Sequence, residues 1–239
     1  MRRYFDNPMI ILLLGFMAYS SFKHGAFSNP GEWIMSEMMI LPGIVIGLTF
    51  HEFAHALVAD KLGDNTPRMQ GRVSISPLDH VDPIGFIALI FVGFGWGKPV
   101  EINPYNFKNR RRDELLVSFA GVAMNFLLAV IFAVILKIYT SYTGAWLGMG
   151  SMSEIIADII FYVIYINLVL MVFNLLPIPP LDGFNILTEI FDLRRYNWWY
   201  QIYNNGFVIL MVLILFNFTD RVMTPILNFF WKIIQNIIF

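Results

Sequence analysis

The sequence predicts an all-α polytopic membrane protein of about five or six transmembrane helices, with a small β element or re-entrant hairpin, folded as one membrane-embedded domain over residues 1–239. The 239 residues are 57% hydrophobic and only 14% charged, against roughly 25% charged residues in a soluble domain. That balance excludes a water-soluble fold. Apolar runs approaching the roughly 20 residues of a spanning helix recur along the chain, and polar residues collect between them, above all from Lys61 to Asp113. The formal net charge of −1 provides no global basic field to recruit nucleic acid. With no cysteine, the chain has no disulfide, thiolate nucleophile or sulfur ligand, so any metal must be held by His and carboxylate.

Arg2 and Arg3 precede an apolar run over residues 9–18. This reads as an uncleaved first span rather than a signal peptide, because more membrane-like sequence follows it. Further spans are expected at 33–59, 115–139, 155–176 and 207–218, with a last apolar stretch at 225–239. Residues 84–96 are apolar but short, and Gly85, Gly93, Gly95 and Gly97 suit a re-entrant segment or hairpin better than a plain spanning helix. The β-like pieces 71–76 and 99–102 read as a small sheet, with the strand near Val100 offering a pairing edge to an extended peptide. No internal repeat is apparent, which weakens a reading as an inverted-repeat transporter.

Lys and Arg mark the cytoplasmic side. With the N-terminus inside, that side holds Arg2, Arg3, the cluster from Lys61 to Arg112, and Arg194 with Arg195, which is twelve of the 16 basic residues. The N-terminus is therefore expected in the cytoplasm. Arg110, Arg111 and Arg112 read as a topology signal facing anionic headgroups. Trp198 and Trp199 suit the interfacial aromatic belt.

The second span ends in His51-Glu52-Phe53-Ala54-His55. Helix positions four apart differ by about 40° around the axis and about 6 Å along it, so both imidazoles can reach one ion with Glu52 beside it. Two His ligands and a carboxylate able to take a proton from water form the zinc-hydrolase arrangement. Three ionisable residues on one turn of an apolar helix also carry the cost of burial in lipid, which argues for a shared task. Catalytic zinc usually takes three protein ligands. Asp182 is the best third candidate, because Pro177, Pro179 and Pro180 halt a span and Gly183 permits a sharp turn.

With these residues in view, the chain resembles the site-2 proteases, zinc metalloproteases that cleave substrates within or near the membrane. The resemblance rests on His51 to His55 and on the stretch from Asn174 to Gly183. Supporting segments are Gly71 to Pro83, Gly95 to Val100, and Ala120-Gly121-Val122-Ala123-Met124-Asn125. It implies one zinc ion per chain held by His51, His55 and Asp182, with Glu52 as general base. It also implies a compact form without PDZ or CBS domains, in the plasma membrane of a prokaryote. Leu181 departs from the residue many members carry before the acid, which bears on subfamily and not on the ligand. The implied activity is an intramembrane endopeptidase acting on single-pass or already trimmed membrane proteins, with the lipid bilayer and no nucleic acid as its surroundings. A metal transporter, or a catalytically silent homologue that binds membrane proteins, would share the ligands; the transporter would give Glu52 no special task.

Two asparagines are open between roles. Asn174, at the end of its span, could donate to a developing oxyanion, as the resemblance suggests, or cap a helix. Asn125 could orient substrate or a ligand, or hydrogen-bond between helices. His80, between Asp79 and Asp82, is expected at the surface.

Overall fold

The computed structural model describes residues 29–92, 97–145, 148 and 150–238. The expected first span, and Gly93 and Gly95, lie outside them. The first described helix, α1 (Pro30–Lys61), opens with proline and Glu32 in its first turn and closes with Lys61, each matching the free amides and carbonyls at its end. After the short helices α2 (Thr66–Met69) and α3 (Pro77–His80), α4 (Pro83–Val92) occupies the apolar segment. The long α5 (Arg110–Thr143) is capped by the Asn109 side chain and ends at Gly144 in the left-handed region. A capping box between Ser151 and Glu154 starts α6 (Met152–Asn174). Then come α7 (Asp182–Phe191), α8 (Asn197–Asn204), α9 (Gly206–Leu215) and α10 (Phe218–Ile238).

Among the described residues α1, α5 and α6 are long and apolar enough to cross a membrane, and α8 with α9, bent by 62°, could form a fourth span. The chain is an all-α polytopic membrane protein. The final stretch is helical, but α10 carries Asp220, Arg221 and Lys232, and it lays Met223 and Ile234 against the bundle. Trp231 packs edge-on against Phe161 of α6.

In the bundle α1 packs on both α5 and α6, and it crosses α6 where Gly43 and Gly47 let the backbones approach: a Cβ on Gly43 would lie 3.0 Å from the Tyr162 carbonyl. Pairing Gly43 with Val163, and Gly47 with Asn167, makes these helices parallel. Pairing His51 with Asn125, and His55 with Val117, makes α1 and α5 antiparallel. Ala129, Ile164, Leu168 and Val172 fill the α5–α6 seam.

The β-like pieces form no strand among the described residues. Backbone donors in and beside them go elsewhere: Ser76 N to Ser74 Oγ two residues earlier, Val100 N to Glu52, and that of the adjoining Asn103 to Asp64 Oδ2. The pairing donor expected at Val100 is thus already engaged. What remains of a β element among the described residues is one antiparallel bridge, Val81 with Gly97, fastened by Lys98 N to His80 O at 2.7 Å. The chain therefore leaves at Val81 and returns at Gly97 as a hairpin, with α4 inside it.

His80 is not at the surface. It is fully buried, with Nε2 against the Ser74 carbonyl at 2.6 Å, while Leu78 two residues earlier is exposed. The imidazole finds a backbone acceptor for Nε2 inside the loop, which offsets part of the burial cost, while its buried Nδ1 has no hydrogen-bond partner.

Candidate metal centre

His51 and His55 lie one turn apart on α1 with ring centroids 4.6 Å apart, and Nε2 of each is 3.0 Å from the other. Their other nitrogens are both anchored on α5. His55 Nδ1 is 2.7 Å from the Val117 carbonyl, an acceptor only, so that nitrogen donates its proton. His51 Nδ1 is 2.7 Å from Asn125 Oδ1 and donates likewise. Val117 and Asn125 are two turns apart, and between them on the same face is Gly121. A Cβ on Gly121 would stand 2.5 Å from His51 Cε1 and 2.5 Å from His55 Nε2. One face of α5 thus cradles both imidazoles by offering a carbonyl, an absent side chain and a carboxamide.

Asp182 is the first residue of α7. After α6 ends, tight backbone bonds (Ile178 N to Leu176 O at 2.8 Å, Leu181 N to Ile178 O at 2.9 Å) turn the proline-rich connection back on itself. Gly183 makes the close return possible, since a Cβ there would lie 2.2 Å from the Leu175 carbonyl oxygen. The turn sets Asp182 Oδ2 3.2 Å from His51 Nε2 and 3.3 Å from His55 Nε2.

The three groups fit a metal ion. With both imidazole protons on Nδ1, the two Nε2 atoms present lone pairs to each other and to a carboxylate, and buried Asp182 Oδ2 has no hydrogen-bond partner. In these tautomers three acceptors converge with no donor among them, an arrangement that a cation satisfies. All are nitrogen or oxygen, a set that suits zinc.

Glu52 lies beside this triad, with Oε2 accepting the Val100 N–H at 3.1 Å. Both residues line a cavity of about 590 Å³ that opens onto His51, His55, Asp182 and Asn174. Asn174 gives one amide hydrogen to its own helix, at Leu170 O, 3.0 Å; the other is left for the cavity.

The rim differs from what the sequence suggested. Trp199 is buried in the protein rather than facing headgroups: its Nε1 donates to Thr188 Oγ1 at 2.8 Å and its ring stacks on Phe184 and Tyr203. Satisfying the indole N–H internally removes the reason for it to sit at a water boundary. Trp198 is the exposed member of the pair. Two of the three arginines that open α5, though exposed, also bond within the protein. Arg110 Nε pairs with Glu114 at 2.6 Å, and Arg111 donates to the Glu189 and Ile190 carbonyls at the end of α7. Arg194 joins Glu114 to Glu189, 2.7 Å from Oε1 of the latter. Burial pushes the Glu189 carboxyl up to about 7, with Arg194 opposing the rise and Glu114 adding to it.

Sequence reasoning passed over the Val117 carbonyl, the Val100 amide and Asn167, which hydrogen-bonds Asn125 at 3.0 Å. The backbone groups have no sequence signature. Asn167 had one: a carboxamide in the middle of an apolar helix must find partners.

Comparison with known proteins matches residues 138–218 to peptidase family M50. The "Putative zinc metalloprotease YwhC" of Bacillus subtilis is 38% identical over 186 residues, covering 77% of this chain and 84% of that protein. The "Putative zinc metalloprotease Rip2" of Mycobacterium tuberculosis is 27% identical, covering 76% of this chain and 69% of its own length. The "Putative zinc metalloprotease MJ0611" of Methanocaldococcus jannaschii is 27% identical over 67% of this chain and 75% of its own. No solved structure matches.

Proposed function

The chain belongs to peptidase family M50, the site-2 protease family, and from that premise we propose that it is an intramembrane zinc endopeptidase acting on single-pass or pre-trimmed membrane proteins. It is a multi-pass membrane metalloprotease with zinc as its cofactor. The observation that carries the finer reading is the convergence of His51 Nε2, His55 Nε2 and Asp182 Oδ2 without a donor among them. These three would hold one ion per chain, and zinc bound there would supply Lewis acidity to a scissile carbonyl and to the attacking water.

The chain's own residues do the rest. Glu52 accepts the water's proton and returns it to the leaving amine; the Val100 amide on Oε2 fixes its direction and leaves Oε1 for that exchange. Asn174 donates its second amide hydrogen to the oxygen that gains charge. A helical amide is hydrogen-bonded and enclosed, so the substrate must unwind locally to enter.

The site belongs inside the bilayer. His51 precedes the end of α1 by ten residues, about 15 Å along the axis, half of a hydrocarbon core of roughly 30 Å. The same end carries Lys61, Arg72, Lys108, Arg110 to Arg112 and Arg194, which supports a site nearer the cytoplasm with the N-terminus inside. Plasma membrane of a prokaryote is the location that agrees with the organisms of the relatives, and residues 1–239 act as one domain.

The test is co-expression of the wild type and Glu52→Gln with a library of tagged single-pass proteins. Fragments made by the wild type alone support the reading; identical fragment patterns from both overturn it.

A further inference from the structure

The hydrogen bonds behind His51 have fixed directions. The Val163 carbonyl only accepts, so Asn167 turns Nδ2 to it at 2.8 Å and Oδ1 the other way. That oxygen only accepts, so Asn125 presents Nδ2 to it at 3.0 Å and spends its second amide hydrogen on the Gly47 carbonyl at 3.1 Å. What Asn125 then offers to His51 Nδ1 is Oδ1, at 2.7 Å. Asn125 and Asn167 are both fully buried.

We infer that Asn167 on α6 is a positioning residue: acting through Asn125, it holds the His51 imidazole in the tautomer that keeps its Nε2 lone pair free for the metal. A flipped Asn125 would turn its NH₂ group towards His51, whose proton would then move to Nε2, in the path of the ion. The flip would also set Oδ1 against two other acceptors, Asn167 Oδ1 and Gly47 O, in a low-dielectric interior where such contacts are costly. His55 needs no comparable relay, because a backbone carbonyl cannot flip. The two histidines, equivalent in the sequence motif, thus differ in support: one rests on backbone, the other on a two-asparagine chain that reaches a helix bearing no ligand.

This inference rests on the reading of His51 as a metal ligand, and zinc affinity of the purified full-length chain in detergent separates the two. Affinity is read by competition with a chelating indicator for the wild type, Asn125→Leu, Asn167→Leu, Asn167→Asp, the double Leu variant and His51→Ala. Asn125→Leu should weaken zinc binding about 10- to 100-fold, and Asn167→Leu should weaken it several-fold. The double variant should bind no more weakly than Asn125→Leu, because Asn167 works only through Asn125. Asn167→Asp keeps the acceptor for Asn125 and should stay within a few-fold of wild type. If Asn167→Leu does not fold, the Asp variant decides: near-wild-type affinity supports the relay, and a loss as deep as that of His51→Ala overturns it. Wild-type affinity in Asn167→Leu, or a loss that adds in full to that of Asn125→Leu, would show that Asn167 only packs. Wild-type affinity in His51→Ala would instead remove the metal reading itself.

Discussion

Val100 donates its backbone N–H to Glu52 Oε2 at 3.1 Å, joining the loop after the hairpin to the carboxylate beside the metal centre. The contact fixes one oxygen of the proposed base and leaves the other free. A glutamine at position 52 can keep this bond through its carbonyl oxygen while losing basicity.

Glu52→Gln should therefore retain zinc and fold, and lose cleavage by roughly 10²- to 10⁴-fold. Fragment yield against metal content of the same preparation checks it. Cleavage near the wild-type level would remove Glu52 from the chemistry.

Zinc content should fall in each of His51→Ala, His55→Ala and Asp182→Ala, since each removes one of three converging groups. Elemental analysis of purified protein measures this. Full occupancy in Asp182→Ala would put the third ligand elsewhere in the chain.

Gly121→Ala should empty the site while leaving α5 helical. The added methyl would stand 2.5 Å from both rings, whereas alanine is the better helix former by about 1 kcal/mol. Zinc affinity should drop roughly tenfold or more with unchanged circular dichroism. Gly31→Ala, where a Cβ meets nothing within 4 Å, is the control that should bind as the wild type does.

Orientation can be read from single cysteines in this cysteine-free chain. Asn109 and Thr143 are exposed at opposite ends of the 34-residue α5, about 50 Å apart along the axis. An impermeant thiol reagent should reach the first only from the cytoplasmic side and the second only from the other. The reverse pattern would invert the proposed topology.

Glu189 gives a pH dependence with a definite sign. Its folded pKa, up to about 7, exceeds the ordinary value of 4.5, so the folded state binds the proton more tightly and ionisation of Glu189 disfavours it. Stability from this group is full below about pH 4.5 and is lost as pH rises through about 7. Glu189→Gln should thus fall less in melting temperature than the wild type between pH 5 and pH 8, by a few degrees. An equal fall in both would show that Glu189 ionises without penalty.

The sequence disclosed those parts of the site that depend on side chains at short range. His51 and His55 could be paired because helical spacing alone aligns them, and Asp182 because prolines and glycine mark where a span must break. The same reasoning erred wherever a backbone group supplied the partner. His80 looked solvated until the Ser74 carbonyl appeared beside it. The 99–102 piece looked like a free strand, yet Glu52 claims the Val100 amide and Asp64 that of the adjoining Asn103. Trp199 looked interfacial because its Thr188 acceptor lies eleven residues away on another helix. Tertiary contacts of this kind leave no periodicity to read.

The face of α5 that carries Val117, Gly121 and Asn125 has a mechanical side. The same helix, through Arg111, also grips the carbonyl end of α7, whose opposite end bears Asp182. All three converging groups are therefore referenced to one rod. A slip of a single residue along its axis is only about 1.5 Å, yet it would carry the Val117 carbonyl and the Asn125 carboxamide away from both rings at once. Axial movement of α5 would therefore loosen both imidazoles together, whereas a side-chain change at Asn125 would reach His51 alone.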